Sequence, residues 1–268
     1  MVKSSTIARF FLWSILLMLY APLIIIVLFS FTESKVIGNW TGFSVQLYGN
    51  LFSGATSVKL IRALVNTLLI ALISGMLSTL LGSVAAVGIF NLRNRTRKII
   101  QSVSRIPILN ADIITGVSLL LLFVSLGISR GFVTVVLAHV TFCTPYVVLS
   151  VMPRLHRMDP NLYEAALDLG ATPSMALRKV ILPEILPGII SGFILSVTLS
   201  IDDFVVTIFN IGNEGLETLS TYIYNDARKG GLTPELRALS TIIFIMVLTL
   251  LIIINRRAQK KQPARNLK

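Results

Sequence analysis

Three acidic residues lie inside or at the edge of long apolar runs of this chain. A charged side chain costs about 2.5–3.5 kcal/mol at the centre of a bilayer on insertion scales, so such acids usually face a cavity or a partner. Carboxylates beside aromatic rings favour cations, because both the negative charge and the ring face attract them. The predicted pathway residues for a cation are Asp202, Asp203, Asp112, Tyr146 and Phe204.

An alternative is that these acids stabilise the fold and do not line a pathway. The acids could pair with a helix end or with a basic residue of a neighbouring subunit. Successive helical residues point about 100° apart, so only one of Asp202 and Asp203 can face a pathway directly. His139 is interpreted as a hydrogen-bonding residue between helices, and Cys143 as a buried, inert thiol. The second histidine, His156, falls on a different predicted element, so no metal site is predicted.

The composition indicates that membrane-spanning helices position these residues. Of 268 residues, 54% are hydrophobic and 13% are charged, about half the charged share of a soluble domain. The mean hydropathy is +0.82. The net charge of +12 is divided among short clusters between apolar runs, whereas a nucleic-acid-binding protein would carry a basic stripe.

Six stretches reach the roughly 20 apolar residues that a helix needs to cross a bilayer. They cover residues 10–31, 64–90, 106–126, 132–152, 185–208 and 238–254, and the third is interrupted by Pro107, Asn110 and Asp112. The first is too long for the apolar region of a signal peptide, so we expect an uncleaved helix. The chain is therefore predicted to be an all-α membrane protein with six transmembrane helices.

The distribution of basic residues predicts the orientation. If the N-terminus is cytoplasmic, 17 of the 24 Lys and Arg residues fall in cytoplasmic segments. This bias follows the positive-inside rule for a bacterial inner-membrane protein with both termini in the cytoplasm.

The second predicted span carries a face of small residues, which favours close helix packing in a bundle. The face consists of Ser74, Ser78, Gly82 and Ala86. An ion-coupled secondary transporter is one alternative, but its halves usually repeat and these do not. A membrane scaffold is a second alternative, although it would not need the structured connection predicted at 153–184.

The connection between the fourth and fifth spans, 153–184, is predicted to form two short helices. Asp159 can cap the first helix, with Pro160 in its first turn. Gly170 stands where a left-handed residue commonly ends a helix.

Thr172 and Pro173 repeat the start signal, and the second short helix is predicted to end before Pro183. The first helix presents a small apolar face made of Leu162, Ala165, Ala166 and Leu169. Such an element suits docking of a soluble partner, while an ordinary structured loop is the alternative.

The same connection resembles the EAA loop of the permeases of ABC importers. That family has Glu-Ala-Ala, three residues, Gly, nine residues, Ile, one residue and Leu-Pro; here Val180 replaces Ile. The resemblance implies that this loop sits in a groove of a cytoplasmic ATPase. The implied ATPase-coupling residues are Glu164, Ala165, Ala166, Leu169, Gly170, Leu182 and Pro183.

Further stretches, at 39–43 with Tyr48, at 141–145 and at 199–203, resemble the spermidine/putrescine branch of that family. The resemblance implies a type I importer (MetI-like) fold and a non-catalytic permease subunit that forms half of a polyamine pathway. It also implies a second permease subunit, two copies of an ATPase and an extracytoplasmic binding protein. No G-x-x-x-x-G-K-[ST] loop occurs in the chain, so ATP-Mg is expected on the partner ATPase and no cofactor on this chain.

The implied organisation has four parts: an N-terminal tip and first helix at 1–31, a periplasmic loop at 32–63, a transmembrane core at 64–255 and a basic cytoplasmic tail at 256–268. The coupling loop occupies 159–183 within the core. Related permeases carry opines, phosphonate, iron or sulfate, and these solutes remain alternatives. Two outer aspartates would repel anions, which favours a cation.

Overall fold

The computed structural model describes residues 6–34, 38–53, 55–159, 161–213, 215–229 and 233–260. Over these residues the chain is helical, without a β-strand, which agrees with the all-α prediction. The helices are α1 (Thr6–Phe29), α2 (Gln46–Ser53), α3 (Ala55–Phe90), α4 (Asn94–Leu109), α5 (Asp112–Ser125), α6 (Phe132–Arg157), α7 (Asn161–Asp168), α8 (Pro173–Ala176), α9 (Leu182–Asp202), α10 (Val205–Asn210), α11 (Leu219–Arg228) and α12 (Pro234–Lys260). A π-helical turn, Leu177–Ile181, joins α8 to α9.

The described residues divide into two compact units, one within Met1–Leu60 and Ile223–Lys268, the other within Ile61–Tyr222. In the first unit, α1 and α2 each pack against α12. Arg237 of α12 is 1% exposed and donates a hydrogen bond from Nη1 to the carbonyl of Ser34, at 2.9 Å. This bond fastens the segment after α1 to the first turns of α12.

The 39–43 stretch and Tyr48 pack against the end of α1. The Phe31 ring lies 5.5 Å from the Phe43 ring and 5.4 Å from the Tyr48 ring. The Tyr48 hydroxyl is hydrogen-bonded to Ser30 at 2.7 Å. These residues therefore hold the first unit together locally.

Four helical segments among the described residues are long and apolar enough to cross a membrane: Arg9–Phe29, Ser57–Phe90, Phe132–Arg157 and Pro173–Asp202. They correspond to the first, second, fourth and fifth predicted spans. The sixth predicted span lies within α12, where the side chains of residues 250–254 are outside those described. The count of six spans stays a prediction.

The third predicted span, 106–126, is broken at the predicted interruption and forms two helices. It consists of the end of α4 and the whole of α5, two helices bent by 101°. Pro107, inside α4, has no N–H for the last turn, and Asn110 and Asp112 favour caps over helix interiors. Asn110 and Ala111 adopt extended backbone angles at the bend. The pair qualifies as a fifth span only if both halves are counted together.

Two predicted boundaries around α9 are wrong. The fifth span was expected to continue to residue 208, but α9 ends at Asp202 and α10 follows as a separate helix. The second short helix was expected to end before Pro183, yet it runs through the π-helical turn into α9. The N–H of Leu182 bonds the carbonyl of Leu177, five residues back. Pro183 is tolerated because it directly follows the π-helical turn, whose widened backbone accommodates a residue that has no N–H to donate.

Glycines let α3 and α9 approach α6 closely in the second unit. A Cβ on Gly82 of α3 would lie 2.6 Å from the Cβ of Val147. A Cβ on Gly188 of α9 would lie 2.9 Å from the Cγ of Arg154, and one on Gly192 would lie 3.1 Å from Val147. Ser74, Ser78 and Ala86 of the small-residue face are fully buried, which confirms that α3 packs through this face.

Candidate functional site

The first candidate element is α7 with the turns on either side of it. The Asp159 carboxylate accepts a hydrogen bond from the N–H of Asn161 at 2.9 Å, as predicted for a capping residue. Pro160, expected in the first turn, lies outside the described residues.

Gly170 ends α7 in the predicted left-handed conformation, with a φ of +85°. The N–H of Ala171 bonds the carbonyl of Ala166 at 3.0 Å, and the N–H of Gly170 bonds that of Leu167 at 2.9 Å. These two bonds form a Schellman motif, which satisfies carbonyls that the helix leaves free. The angle between α7 and α8 therefore depends on a backbone conformation that glycine adopts at little cost.

The start of α8 also follows the prediction. The Thr172 hydroxyl accepts a hydrogen bond from the N–H of Met175 at 3.4 Å, and Pro173 is the first helical residue. Leu182 and Pro183, predicted as coupling residues, lie beyond this element at the start of α9.

The side chains of α7 expose apolar surface. Leu169 is 89% exposed and Leu162 is 40% exposed. Glu164 and Ala165 are exposed as well, and Ala166 is half-buried. An exposed leucine at the tip of a short helix is the kind of group that a partner protein covers.

A cavity of about 520 Å³ separates this element from the ends of α3 and α6. It is lined by Val87, Phe90, Asn91, Leu155, Met158, Tyr163, Glu164, Pro173, Ser174, Leu177 and Ile181. Tyr163 of α7 lines this space and also packs against the buried cluster that contains Leu155 and Ile181. Glu164 lines the same partly empty space.

The second candidate element surrounds the break between α9 and α10. Asp203 lies at this break with its side chain 6% exposed. Its carboxylate accepts hydrogen bonds from the N–H of Val206 at 3.2 Å and from the N–H and hydroxyl of Thr207 at 2.8 and 2.7 Å. Asp203 thus caps α10, which favours the structural interpretation over a direct pathway contact for this residue.

His139 of α6 connects α9 with α10, as predicted for a hydrogen-bonding residue between helices. The ring is 1% exposed. Its Nδ1 lies 2.6 Å from the Ser200 hydroxyl, and its Nε2 lies 3.0 Å from the Thr207 hydroxyl and 3.3 Å from the Asp203 carboxylate. The Ser200 hydroxyl lies 3.1 Å from that of Ser74 in α3. Four helices therefore meet in one buried polar network.

Asp202 differs from its neighbour because its side chain is exposed. It is the last residue of α9. The C-terminal end of a helix carries about half a negative charge, so a carboxylate there is unfavourable unless a cation compensates it. Phe204, the next residue but one, is half-buried at the start of α10. A cation would find a carboxylate, a helix end and an aromatic ring at this break.

Asp112 and Tyr146 form a third polar position. Asp112 is exposed and begins α5, directly after the bend from α4. Its carboxylate interacts electrostatically with the half-buried Tyr146 of α6. Tyr146 lies seven residues from His139, about 10 Å along the axis of α6. Asp112 and Asp202 are thus associated with different levels of the bundle.

Sequence reasoning missed the hydroxyl residues of the network, Ser74, Ser200 and Thr207. Ser74 was assigned to a packing face, and Thr207 carried no distinguishing pattern. The available signal was a group of hydroxyl residues in apolar helices that also contain a histidine and an aspartate, since such groups need partners inside a membrane. Cys143 is buried as predicted, with its thiol 3.6 Å from the carbonyl of Ser196.

Comparison with known protein families gives an independent assignment. The family model described as "Binding-protein-dependent transport system inner membrane component" matches residues 78–261. This range contains α7, α8, α9 and α10 completely. Both candidate elements therefore lie within the matched part of the chain.

Curated relatives cover almost the whole length. The chain is 39% identical over 243 residues to the spermidine/putrescine transport system permease protein PotC of Haemophilus influenzae, covering 91% of this chain and 93% of the relative. It is 39% identical over 232 residues to the putrescine transport system permease protein PotI of Escherichia coli, covering 84% and 81%.

Solved structures share the fold. A bacterial ABC transporter that imports the acidic polysaccharide alginate aligns with a TM-score of 0.68 at 15% identity, covering 96% of this chain and 95% of that one. The MetNI methionine ABC transporter aligns with a TM-score of 0.58 at 22% identity, covering 78% and 96%. At these identities the likeness concerns the fold alone, which is that of MetI-like importer permeases.

Proposed function

The chain belongs to the family of inner membrane components of binding-protein-dependent transport systems, and we propose that it is the permease subunit of an ATP-driven ABC importer for polyamines. Curated relatives at 39% identity are named as permeases for spermidine and putrescine or for putrescine. The structural observation that supports a cationic substrate is the exposed carboxylate of Asp202 at the negative end of α9.

A linear polyamine suits the arrangement of acids. Its ammonium groups are separated by methylene segments, so one molecule can contact carboxylates at different levels of the bundle. Asp202 and Asp112 offer two exposed carboxylates, and Tyr146 and Phe204 offer ring faces that attract cations. Asp203 contributes indirectly, because its carboxylate is occupied by hydrogen bonds within the fold.

This chain would also couple transport to ATP hydrolysis through α7 and the turn after it. The exposed Leu162 of α7 and Leu169 directly after it would enter a groove of a partner ATPase, and Gly170 would fix the direction in which α7 projects. ATP with its magnesium ion would be bound and hydrolysed by that partner, and this chain would convert the ATPase movement into alternating access. It would act without a cofactor of its own and would not be an enzyme.

The assembly proposed around this chain contains a second permease subunit of the same family, two copies of the ATPase and an extracytoplasmic substrate-binding protein. One solved relative, the alginate transporter, is described in complex with a periplasmic protein that binds an alginate pentasaccharide. The excess of Lys and Arg in alternate connections supports a bacterial inner membrane location with both termini in the cytoplasm.

Uptake of labelled polyamines tests this proposal. Putrescine and spermidine uptake would be measured in cells with and without the gene, in a strain that lacks other polyamine importers. We expect ATP-dependent uptake of one or both to disappear on deletion and to return with the gene. Unchanged polyamine uptake would remove the polyamine assignment, and loss of sulfate, phosphonate, iron or opine uptake instead would identify another solute.

A further inference from the structure

Nε2 of His139, on the side of the ring that faces α10, must carry a proton, because the Thr207 hydroxyl there has no proton left to donate to it. The Thr207 hydroxyl has one proton, and its 2.7 Å bond to the Asp203 carboxylate uses that proton. The 3.0 Å contact between the Thr207 oxygen and Nε2 therefore needs a proton on the ring nitrogen. The same N–H lies 3.3 Å from the Asp203 carboxylate, which also accepts.

The α9 side of the ring requires a second proton, on Nδ1. The Ser74 hydroxyl donates to the carbonyl of Ile70 at 2.6 Å, so in its 3.1 Å contact with Ser200 it can only accept. Ser200 uses its single proton in that contact. Nδ1, at 2.6 Å from the Ser200 oxygen, must then be the donor.

We infer that His139 is a cationic imidazolium that pairs with the Asp203 carboxylate, and that this pair positions Asp202. The positioning of Asp202 as a cation contact rests on the function proposed above. With Asp203 ionised, the hydrogen-bond chain from Asp203 through His139, Ser200 and Ser74 to the carbonyl of Ile70 is complete only when both ring nitrogens carry a proton. The network joins α10, α6, α9 and α3 into one unit without a net charge.

The pair accounts for the opposite environments of two adjacent aspartates. Because His139 and Thr207 hold Asp203 inward, the chain breaks after Asp202 and leaves that side chain exposed. A neutral ring would leave the buried Asp203 carboxylate without a cationic partner, held by the hydrogen bonds from Val206 and Thr207 alone, and a buried charge without its partner is unfavourable. Asp203 would then turn away from α10, which would lose its cap, and Asp202 would no longer be presented in the same direction.

Hydroxyl, aromatic and thiol groups also surround the His139 ring. Among the described residues, α9 and α10 face it with the hydroxyls of Ser200 and Thr207. On α6, the Phe142 ring lies edge-on with its centroid 5.2 Å away. Cys143, one turn along α6, also interacts electrostatically with Asp203. The acidic partner of His139 within the described residues is Asp203.

Nitrogen NMR tests the charge state directly. The complete transporter would be labelled with ¹⁵N-histidine in lipid, and the signals that disappear in His139→Gln would be assigned to His139. We expect both ring nitrogens to be protonated at neutral pH. A ring with one unprotonated nitrogen would overturn the inference, whatever solute the transporter carries.

A double-mutant cycle tests the positioning role. His139→Gln and Asp203→Asn should each raise the KM for polyamine uptake, measured per unit of assembled transporter, because each leaves one buried charge unpaired. The double variant removes both charges, so its KM should lie closer to that of the native protein than the KM of either single variant. His156→Gln is the matched control, because His156 lies on the same helix and bonds the carbonyl of Met152 at 2.8 Å.

If the increases in log KM of the two single variants simply add in the double variant, the positioning role is overturned. The two experiments also separate this inference from the proposed function. If polyamines are not transported, the NMR result still decides the charge pair, and the cycle is repeated with the solute that the uptake assay identifies.

Discussion

Replacing Gly170 isolates the contribution of one backbone conformation to coupling. Gly170 has a φ of +85°, and a Cβ at this position would meet no atom within 4 Å. Gly170→Ala therefore adds no clash, and its cost is that of a left-handed residue with a side chain, roughly 1 kcal/mol. A change of about 1 kcal/mol alters a conformational equilibrium roughly fivefold. We expect the populated fraction of the native angle between α7 and α8 to fall accordingly.

The size and type of the side chain separate strain from contact. Asn adopts the left-handed conformation more readily than Ala, so Gly170→Asn should lose less ATPase binding and less uptake than Gly170→Ala. Backbone strain alone should cost Gly170→Leu as much ATPase binding and uptake as Gly170→Ala loses. Any further loss of either would reflect a clash with the partner ATPase.

Two assays would compare the Gly170 variants. One measures how much ATPase co-purifies with the permease, and the other measures ATP-driven uptake. Gly88→Ala in α3 is the matched control, because Gly88 also has open space around its Cβ position but no positive φ. Full ATPase binding and uptake in Gly170→Ala would refute this reasoning. Equal losses in the Asn and Ala variants would also refute it, because the effect would then not follow the backbone preference.

Two further predictions concern the surface of α7 and the packing of α3. Leu169→Asp should abolish co-purification of the ATPase. The permease should keep its melting temperature, since Leu169 is 89% exposed. A variant that still binds the ATPase would exclude Leu169 from the docking surface. Gly82→Val should lower the thermal stability of the purified subunit by the roughly 1–3 kcal/mol typical of overpacking, because a Cβ there would lie 2.6 Å from Val147. Gly88→Val, with open space, should change the melting temperature less, and equal shifts would contradict the packing argument.

Helix-capping preferences in the sequence predicted the start and end of α7 and the start of α8 correctly. The positions of Asp159, Gly170 and Thr172 each depend on a capping preference that acts within a few residues, and the structure shows all three in the expected roles. The end of the second short helix was wrong because Pro183 was treated as a helix breaker. A π-helical turn widens the backbone before it, which a capping pattern does not reveal.

The membrane helices were predictable from length and hydropathy, but the geometry of their breaks was not. Pro107, Asn110 and Asp112 indicated an interruption in the third span, whereas hydropathy carries no information on direction and did not predict the 101° bend between α4 and α5. The break after Asp202 depends on Asp203 capping α10 and on His139 from a distant part of the chain. The bridging role of His139 was anticipated, whereas its partners required the fold.

The measurement that tests the central claim most directly is the KM for putrescine and spermidine uptake in Asp202→Asn, with Asp202→Glu beside it. Contacts to a charged group contribute about 1.5–3 kcal/mol, so removing the charge should raise the KM tenfold or more while the amount of assembled transporter stays constant. Asp202→Glu, which keeps the charge, should recover most of the affinity. An unchanged KM in Asp202→Asn would contradict the claim that this carboxylate contacts the transported cation.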